Sequence, residues 1–162
     1  MYFYYDKDEL YTFVEEEVSR LADTAYTEGG DSLYDSIVLL SRDRLRVDAF
    51  FDKAVAEIVN RAFDICKYSP EVHYVLDDHD EPTTTVDYIE LRLHFHVPDL
   101  DSSSENAIDD ELSNFIVQYA VAEIVKERMP SALPMYADRA ATSLTNAIKL
   151  LKTRIAPNES WS

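Results

Sequence analysis

Hydrophobic and polar residues alternate without interruption from Asp87 to Val97. An alternation with period two is typical of a β-strand that buries one of its faces. A weaker version of the pattern runs from Val72 to Leu76, and the acidic residues between the two runs are typical of a turn. We therefore predict a β-hairpin over about residues 71–97. Because an isolated hairpin is only marginally stable in water, we expect its apolar face to pack against the central and C-terminal helices. That face carries Ile89, Leu91, Leu93 and Phe95.

Elsewhere the apolar residues recur every three or four positions, which is the spacing of a helix with one buried face. This spacing predicts four helices, at about residues 8–26, 43–68, 106–129 and 134–154. Asp6 is placed to cap the first helix, and Ser104 or Asn106 to cap the third. Residues 31–46 fit either a short helix or an extended segment, and their pattern does not decide between the two. The predicted fold class is mostly α (α+β), a bundle of four to five helices with an inserted β-hairpin and a loose tail over residues 156–162.

The length and composition of the chain are those of a single globular unit. It has 162 residues, of which 46% are hydrophobic, and this is enough for one core. We therefore expect a single domain over residues 1–162. The first 20 residues lack the regions of a signal peptide, and no apolar run approaches the roughly 18 residues that a membrane span needs. These features predict a protein that is made in a cytoplasm and has no membrane partner.

The sequence is strongly acidic, with 32 acidic against 15 basic residues and a net charge of −17. Such a charge disfavours nucleic-acid phosphates and anionic membranes as direct ligands. The acids are spread along the chain, and solvated helix and turn faces account for most of them. The only two glycines, Gly29 and Gly30, are adjacent, so the chain lacks the spaced glycines of a phosphate-binding loop. P-loop and Rossmann-type functions are excluded on this ground.

Few residues are arranged for metal binding or catalysis. His94 and His96 lie on the same side of the predicted strand and could begin a zinc site with His73 or His79, but no cysteine pair or further ligand motif completes it. The acidic turn could hold a hard cation, but it lacks the glycine and the spacing of a calcium loop. No nucleophile motif is present, and in so acidic a chain no particular carboxylate pair is informative. We therefore expect no catalytic residue, no cofactor, no metal, and a protein that is not an enzyme.

Three surfaces are candidate interfaces. An aromatic segment precedes the first helix, and it either anchors a partner or packs on the protein's own core. A cluster of arginines either forms local ion pairs or contacts an acidic partner. The third surface is the turn of the predicted hairpin. The residues are Tyr2, Phe3, Tyr4 and Tyr5 for the aromatic segment, Arg42, Arg44 and Arg46 for the arginine cluster, and Asp77, Asp78, Asp80 and Glu81 for the hairpin turn.

The order of the predicted elements adds a family resemblance. In chain order, the predicted elements are a helix, a long helix that starts in an Arg/Asp-rich turn, a two-stranded hairpin, and two antiparallel helices with a polar link. The closing pair carries the likeness most clearly. The break between the two helices runs from Pro130 to Pro134. It is preceded by Leu112, Phe115, Ala120 and Arg128 and followed by Tyr136, Ala140, Ala147 and Leu151. In this order the chain resembles the head-to-tail connector (adaptor, or ring) proteins of tailed bacteriophages, including variants in phages and prophages of Bacteroides-type bacteria.

The resemblance implies a structural virion protein that is made in the bacterial cytoplasm and is located at the head-to-tail junction. Such a subunit forms a homo-oligomeric ring, commonly of about twelve copies, that binds the portal protein and tail proteins. DNA would pass through the ring only as cargo during genome ejection, and an acidic lumen would repel its phosphates. The alternative hypothesis is an acidic interaction module, such as an inhibitor that imitates DNA in a bacterium.

Overall fold

The computed structural model describes residues 2–62, 71–76, 86–94 and 102–153, with side chains in 3–62 and 103–152. Within these ranges the chain forms five α-helices, two short 3₁₀ turns and one three-stranded sheet. The strands are β1 (Tyr2–Asp6), β2 (Glu71–Leu76) and β3 (Val86–His94). The helices are α1 (Lys7–Asp23), α2 (Tyr34–Ile37), α3 (Arg44–Arg61), α4 (Ser102–Arg128) and α5 (Leu133–Thr153). The predicted fold class, mostly α (α+β), is therefore confirmed.

The sheet has the strand order β1-β3-β2, and both pairings are antiparallel. Tyr74 of β2 lies opposite Ile89 of β3, so the two strands of the predicted hairpin do pair. The turn between them, residues 77–85, lies outside the described residues, as do the side chains of both strands. On the other side of β3, Phe3 of β1 lies opposite Leu93. The strand β1 was not predicted from the sequence. The hairpin was predicted to pack against the central and C-terminal helices, but the helix that contacts β3 most extensively is α1.

The first helix begins directly after the first strand. Asp6 is the last residue of β1 and also caps α1, because its carboxylate accepts a hydrogen bond from the backbone N–H of Asp8 at 2.8 Å. The predicted cap is thus confirmed. The helix ends at Asp23, before the predicted end, since the following residues fold into a turn that is closed by a bridge between Tyr26 and Ser32.

Two further element boundaries differ from the prediction or complete it. The undecided segment, residues 31–46, contains α2, a 3₁₀ turn at Ser41–Asp43 and the first residues of α3. The start of α4 lies inside the predicted serine-rich connector, so Ser104 is a buried residue of the helix and not its cap. Packing against the core overrides the weak helix propensity of serine here. Residues 63–70, the predicted end of the second helix, lie outside the described residues.

The core lies between α1, α3, α4 and α5, and α4 with α5 forms the most extensive helix pair. The two helices are antiparallel, as shown by the Asn114 amide, which donates to the Ser143 hydroxyl at 2.5 Å, and the Asn146 amide, which donates to Glu111 at 3.4 Å. Consecutive residues of α4, 115–118, are all buried, so this helix is enclosed on more than one side. The largest fully buried side chains are Phe51, Ile37, Ile58, Ile108, Leu112, Ile116, Leu151, Val14 and Val18.

None of the helices within the described ranges combines the length and the apolar character needed to cross a membrane.

Candidate functional site

Arg128, in the last turn of α4, joins three parts of the fold. Its guanidinium donates hydrogen bonds to the carbonyl of Ile37 at 3.2 Å, to the carbonyl of Val38 at 3.1 Å, and to the Asp43 carboxylate at 2.7 Å. The Arg128 side chain is 20% exposed and that of Asp43 is 11% exposed, so water screens this ion pair only weakly. The contacts tie the end of α4 to the segment between α2 and α3. The sequence analysis did not predict this role.

The Asp43 carboxylate receives a donor on each oxygen. One oxygen accepts from Arg128, and the other accepts from the backbone N–H of Leu40 at 2.7 Å. Burial by itself raises the pKa of Asp43, but the Leu40 N–H, the Arg128 guanidinium and the nearby Arg42 outweigh burial and lower this pKa below its ordinary value. Asp43 is therefore charged at neutral pH. We call this cluster the Arg128 clasp; it comprises Ile37, Val38, Leu40, Asp43 and Arg128.

The three arginines of the predicted cluster have different surroundings. The Arg44 guanidinium pairs with the Asp8 carboxylate and so links the start of α3 to α1. Arg46 pairs with Glu127 of α4. Arg42 is exposed to solvent. Arg44 also pairs with Asp48, four positions along the same helix, which is local ion pairing, whereas the partner of Arg46 is 81 positions away. Contact of this cluster with an acidic partner stays a prediction.

The aromatic segment is divided between the core and the surface. As residues of β1, Phe3 and Tyr5 point to the same face of the sheet and are 3% and 6% exposed, so they pack on the protein's own core. Tyr4 points to the opposite face and is 51% exposed. The side chain of Tyr2 lies outside the described residues. Of the two alternatives that the sequence left open, packing on the core is therefore the one that holds for Phe3 and Tyr5, because the strand alternation buries them, and a role of Tyr4 as an anchor stays a prediction.

A groove runs between α1 and residues 109–118 of α4. It consists of two adjoining cavities of about 270 Å³ and 230 Å³, which share Phe13, Asp110 and Ser113 in their walls. The three- and four-residue spacing of α1 predicts a buried position for Phe13, but Phe13 is 44% exposed and lines both cavities. We call this feature the acidic groove, after the carboxylates that line it, which are Asp6, Glu9, Glu16, Glu17, Asp109 and Asp110.

The charge of the acidic groove is of one sign. Among the described residues, no lysine or arginine lines either cavity. Arg20 pairs with Glu17 at 3.2 Å, but its side chain is 71% exposed, so it screens the groove only at one end. Lys7 is buried and directed to Asp52 on α3, at 2.8 Å. A concave wall with acids of one sign raises the local concentration of cations.

Gln118 contributes a buried polar atom without a hydrogen-bond partner among the described residues. This atom is Oε1, on a side chain that lines the smaller cavity and is only 6% exposed. A buried polar atom without a partner costs about 1–3 kcal/mol. The Gln118 oxygen therefore destabilises the fold unless a ligand supplies the missing bond.

Tyr5 and Asp109 influence each other at the floor of the larger cavity. The Tyr5 hydroxyl has no partner of ordinary hydrogen-bond geometry among the described residues, but it lies close enough to the Asp109 carboxylate to interact with it as a donor. Burial raises the pKa of Tyr5 well above its usual value, and the charge of Asp109 raises it further. Burial also raises the pKa of Asp109; the Tyr5 hydroxyl opposes this shift, and Asp110 and Glu105 add to it. Negative charge is thus unfavourable at this position, and a bound cation would relieve it.

The remaining predicted sites are not brought together by the described residues. Within the described part of the chain, no three His, Cys, Asp or Glu side chains converge on a possible metal position. The hairpin-turn residues Asp77, Asp78, Asp80 and Glu81 lie outside that part, as do the side chains of His73, His79, His94 and His96. The carboxylates of the acidic groove can accept hydrogen bonds from a ligand that carries donors.

Gln118 is the groove residue for which the sequence held a signal. It is a polar residue in the apolar run from Phe115 to Val121, where a polar side chain needs a partner. Comparison with protein-family models, with curated proteins and with solved structures finds no match to this chain.

Proposed function

We propose that this chain is a non-enzymatic structural subunit of a phage head-to-tail connector. The subunit assembles with copies of itself into a ring at the head-to-tail junction of the virion, between the portal protein and the tail proteins. DNA passes through the ring as cargo and is not a specific ligand. This proposal follows the family resemblance of the sequence, and the fold adds one supporting observation.

That observation is the arrangement of the closing helices. α4 and α5 form a long antiparallel pair joined across the Pro130–Ala132 turn, and the paired strands β2 and β3 stand between α3 and this pair along the chain. The same order of hairpin, helix, proline link and Ala-rich helix carries the resemblance to connector proteins. The acidity of the chain also supports the proposal, since a net charge of −17 disfavours tight contact with passing DNA phosphates.

The test is assembly of the purified chain as a function of salt. Copies that each carry −17 repel one another, and the Debye length falls from roughly 30 Å at 0.01 M salt to about 8 Å at 0.15 M. We expect a monomer at low salt, and rings at higher salt or when the portal protein encoded in the same genome is added. Light scattering measures the mass, and electron microscopy shows whether the particles are closed rings.

The control is the same salt series with an unrelated ring-forming protein in place of the portal. A chain that stays monomeric at every salt concentration, and does not bind the portal, would refute the connector proposal.

A DNA-imitating inhibitor is the second candidate, and the acidic groove is the observation that favours it. A row of carboxylates on paired helices can occupy the phosphate-binding surface of a DNA-binding protein. In that case the chain would displace DNA from a basic bacterial protein at equimolar concentration in a mobility-shift assay. Failure to displace DNA, together with ring formation, would leave the connector as the function.

A further inference from the structure

We propose that the acidic groove is a docking site for an extended basic segment of a partner protein, which inserts arginine or lysine side chains into the two cavities. The inference does not depend on the connector proposal, because any partner with such a segment would fit. It rests on three features of the groove: the sign of its charge, the unpaired buried oxygen of Gln118, and its length with exposed aromatic side chains.

The first feature is that the groove offers acceptors to which cationic donors are complementary. Asp110 belongs to both cavities, and the other carboxylates of the groove are distributed along their length. Arginine and lysine side chains carry only donors, so every hydrogen bond they form here is charge-assisted. An anionic or acceptor-rich ligand, such as a nucleic acid, would meet charge of its own sign.

The second feature is the unpaired oxygen of Gln118. Its side chain is 6% exposed, it lines the smaller cavity, and its Oε1 lacks a hydrogen-bond partner. A guanidinium or ammonium group that enters this cavity can donate to Oε1 and to a carboxylate at the same time.

The third feature distinguishes a protein segment from a small cation. The groove follows α4 from Asp109 to Gln118, which at 1.5 Å per residue is about 14 Å. That length matches about four residues of extended chain, at 3.3–3.6 Å each. Phe13 and Tyr4 are 44% and 51% exposed at the groove, and they can pack against the aliphatic stems of arginine or lysine. No three carboxylates of the described residues converge as a metal ion requires.

The experiment uses a defined probe and the whole chain. The probe is a fluorescein-labelled peptide with two arginines separated by two serines and flanked by glycines. The control peptide has citrulline in place of each arginine, which keeps the shape and removes the charge. Fluorescence anisotropy at 0.15 M salt, where screening suppresses long-range attraction, gives the affinities. We expect the arginine peptide to bind and the citrulline peptide to bind at least about tenfold more weakly.

Two matched double variants separate the groove from general acidity. Glu16→Gln with Asp110→Asn removes two groove carboxylates, and Glu28→Gln with Asp138→Asn removes two exposed carboxylates that line neither cavity. Both change the net charge by the same amount. We expect the groove variant to weaken the arginine peptide by at least about fivefold and the matched variant by less than about twofold. Equal losses in the two variants would overturn the proposal.

Gln118→Met tests the unpaired oxygen without a change of charge. We expect the peptide to bind about threefold more weakly while the thermal unfolding midpoint of the free protein rises, because a buried acceptor without a partner has been removed. A purely structural glutamine would give unchanged peptide affinity. If an equal concentration of spermine displaces the peptide, the groove is a site for small polyamines. If the groove variant loses self-association but still binds the peptide, the groove is a site for a second copy of this chain. Either result would overturn the proposal.

Discussion

Replacing Arg128 by methionine should destabilise the protein strongly, although the substitution keeps most of the aliphatic stem. The guanidinium makes bonds of 3.2 Å, 3.1 Å and 2.7 Å, and all three are lost in the variant. The carboxylate of Asp43, whose side chain is 11% exposed, is then left with the Leu40 N–H as its remaining close donor in the clasp. The loss of charge compensation at Asp43 dominates the expected effect.

The magnitude follows from the burial of the pair. Removing one partner of a fully buried ion pair costs about 3–5 kcal/mol. The Arg128 side chain is 20% exposed, so some of this cost is reduced by solvent, and we expect about 2–4 kcal/mol. Arg128→Lys should recover only part of the loss, since an ammonium group cannot reproduce the fork of a guanidinium that reaches two carbonyls and a carboxylate.

Urea unfolding followed by circular dichroism measures these changes. The matched control is Lys126→Met, an exposed cation in the same last turn of α4, which should cost less than about 1 kcal/mol. In a double-mutant cycle with Asp43→Asn, the coupling energy should be about 1–3 kcal/mol. If Arg128→Met costs no more than Lys126→Met, the clasp is not a stabilising element and the reasoning is wrong.

The clasp should also make stability depend on acid pH. The folded-state pKa of Asp43 is lowered by the Leu40 N–H and by Arg128 against the opposing effect of burial. A depressed carboxyl pKa contributes stability that is present above the unfolded-state value of about 3.9 and is lost as pH falls through the folded-state value. The free energy of unfolding of the native protein should therefore fall more steeply below about pH 4 than that of Asp43→Asn. Parallel pH profiles for the two proteins would contradict this assignment.

Two further predictions concern the groove and the core. Asp109→Asn should increase stability at neutral pH, because burial is the main cause that raises the pKa of Asp109 and the charged form is therefore disfavoured in the folded state. This gain over the native protein should vanish as pH falls below the unfolded-state pKa of about 3.9. A variant that is less stable than the native protein at pH 7 would refute this prediction. Phe51→Ala should lower the free energy of unfolding, measured in urea, by about 3–5 kcal/mol, because Phe51 is fully buried. The control is Asn60→Ala at an exposed position of the same helix, which should change stability by less than about 0.5 kcal/mol. A cost below about 1 kcal/mol for Phe51→Ala would contradict its place in the core.

Local patterns predicted the helices well and the contacts between distant elements poorly. The three- and four-residue spacing located α1, α3 and α5, because each of these helices buries one face whose period is visible in the sequence, and it located α4 although that helix is enclosed on more than one side. The strand β1 has no such signature: four aromatic residues in a row do not alternate with polar ones, and the pairing partner of Phe3 is Leu93, on a distant part of the chain. The clasp is equally non-local, since Asp43 and Arg128 are 85 positions apart.

The acidic groove was hidden for a different reason. Its acids are visible in the sequence, but which of them share one cavity depends on how α1 aligns with α4, and helical periodicity does not specify that alignment. Phe13 shows the same limit, because its spacing assigns it to the buried face while the rim of the groove leaves it 44% exposed. The arginine cluster shows both cases. Arg44 pairs with Asp48 four positions along the same helix, as opposite charges close in sequence favour, whereas Arg46 pairs with Glu127, which lies 81 positions away and could not be found from local spacing.

Two parts of α4 differ in how completely their polar groups are bonded, and this difference separates stability from binding. At the last turn, the Arg128 guanidinium and both oxygens of Asp43 are bonded within the chain, so the clasp has little to offer a ligand. Along the groove, Oε1 of Gln118 is buried without a partner among the described residues, and burial together with Asp110 and Glu105 raises the pKa of Asp109 and disfavours its charged form. An unpaired group weakens the free protein, and a ligand that supplies the missing donor regains the lost free energy on binding. A cationic segment in the groove would therefore stabilise α4 between Asp109 and Gln118.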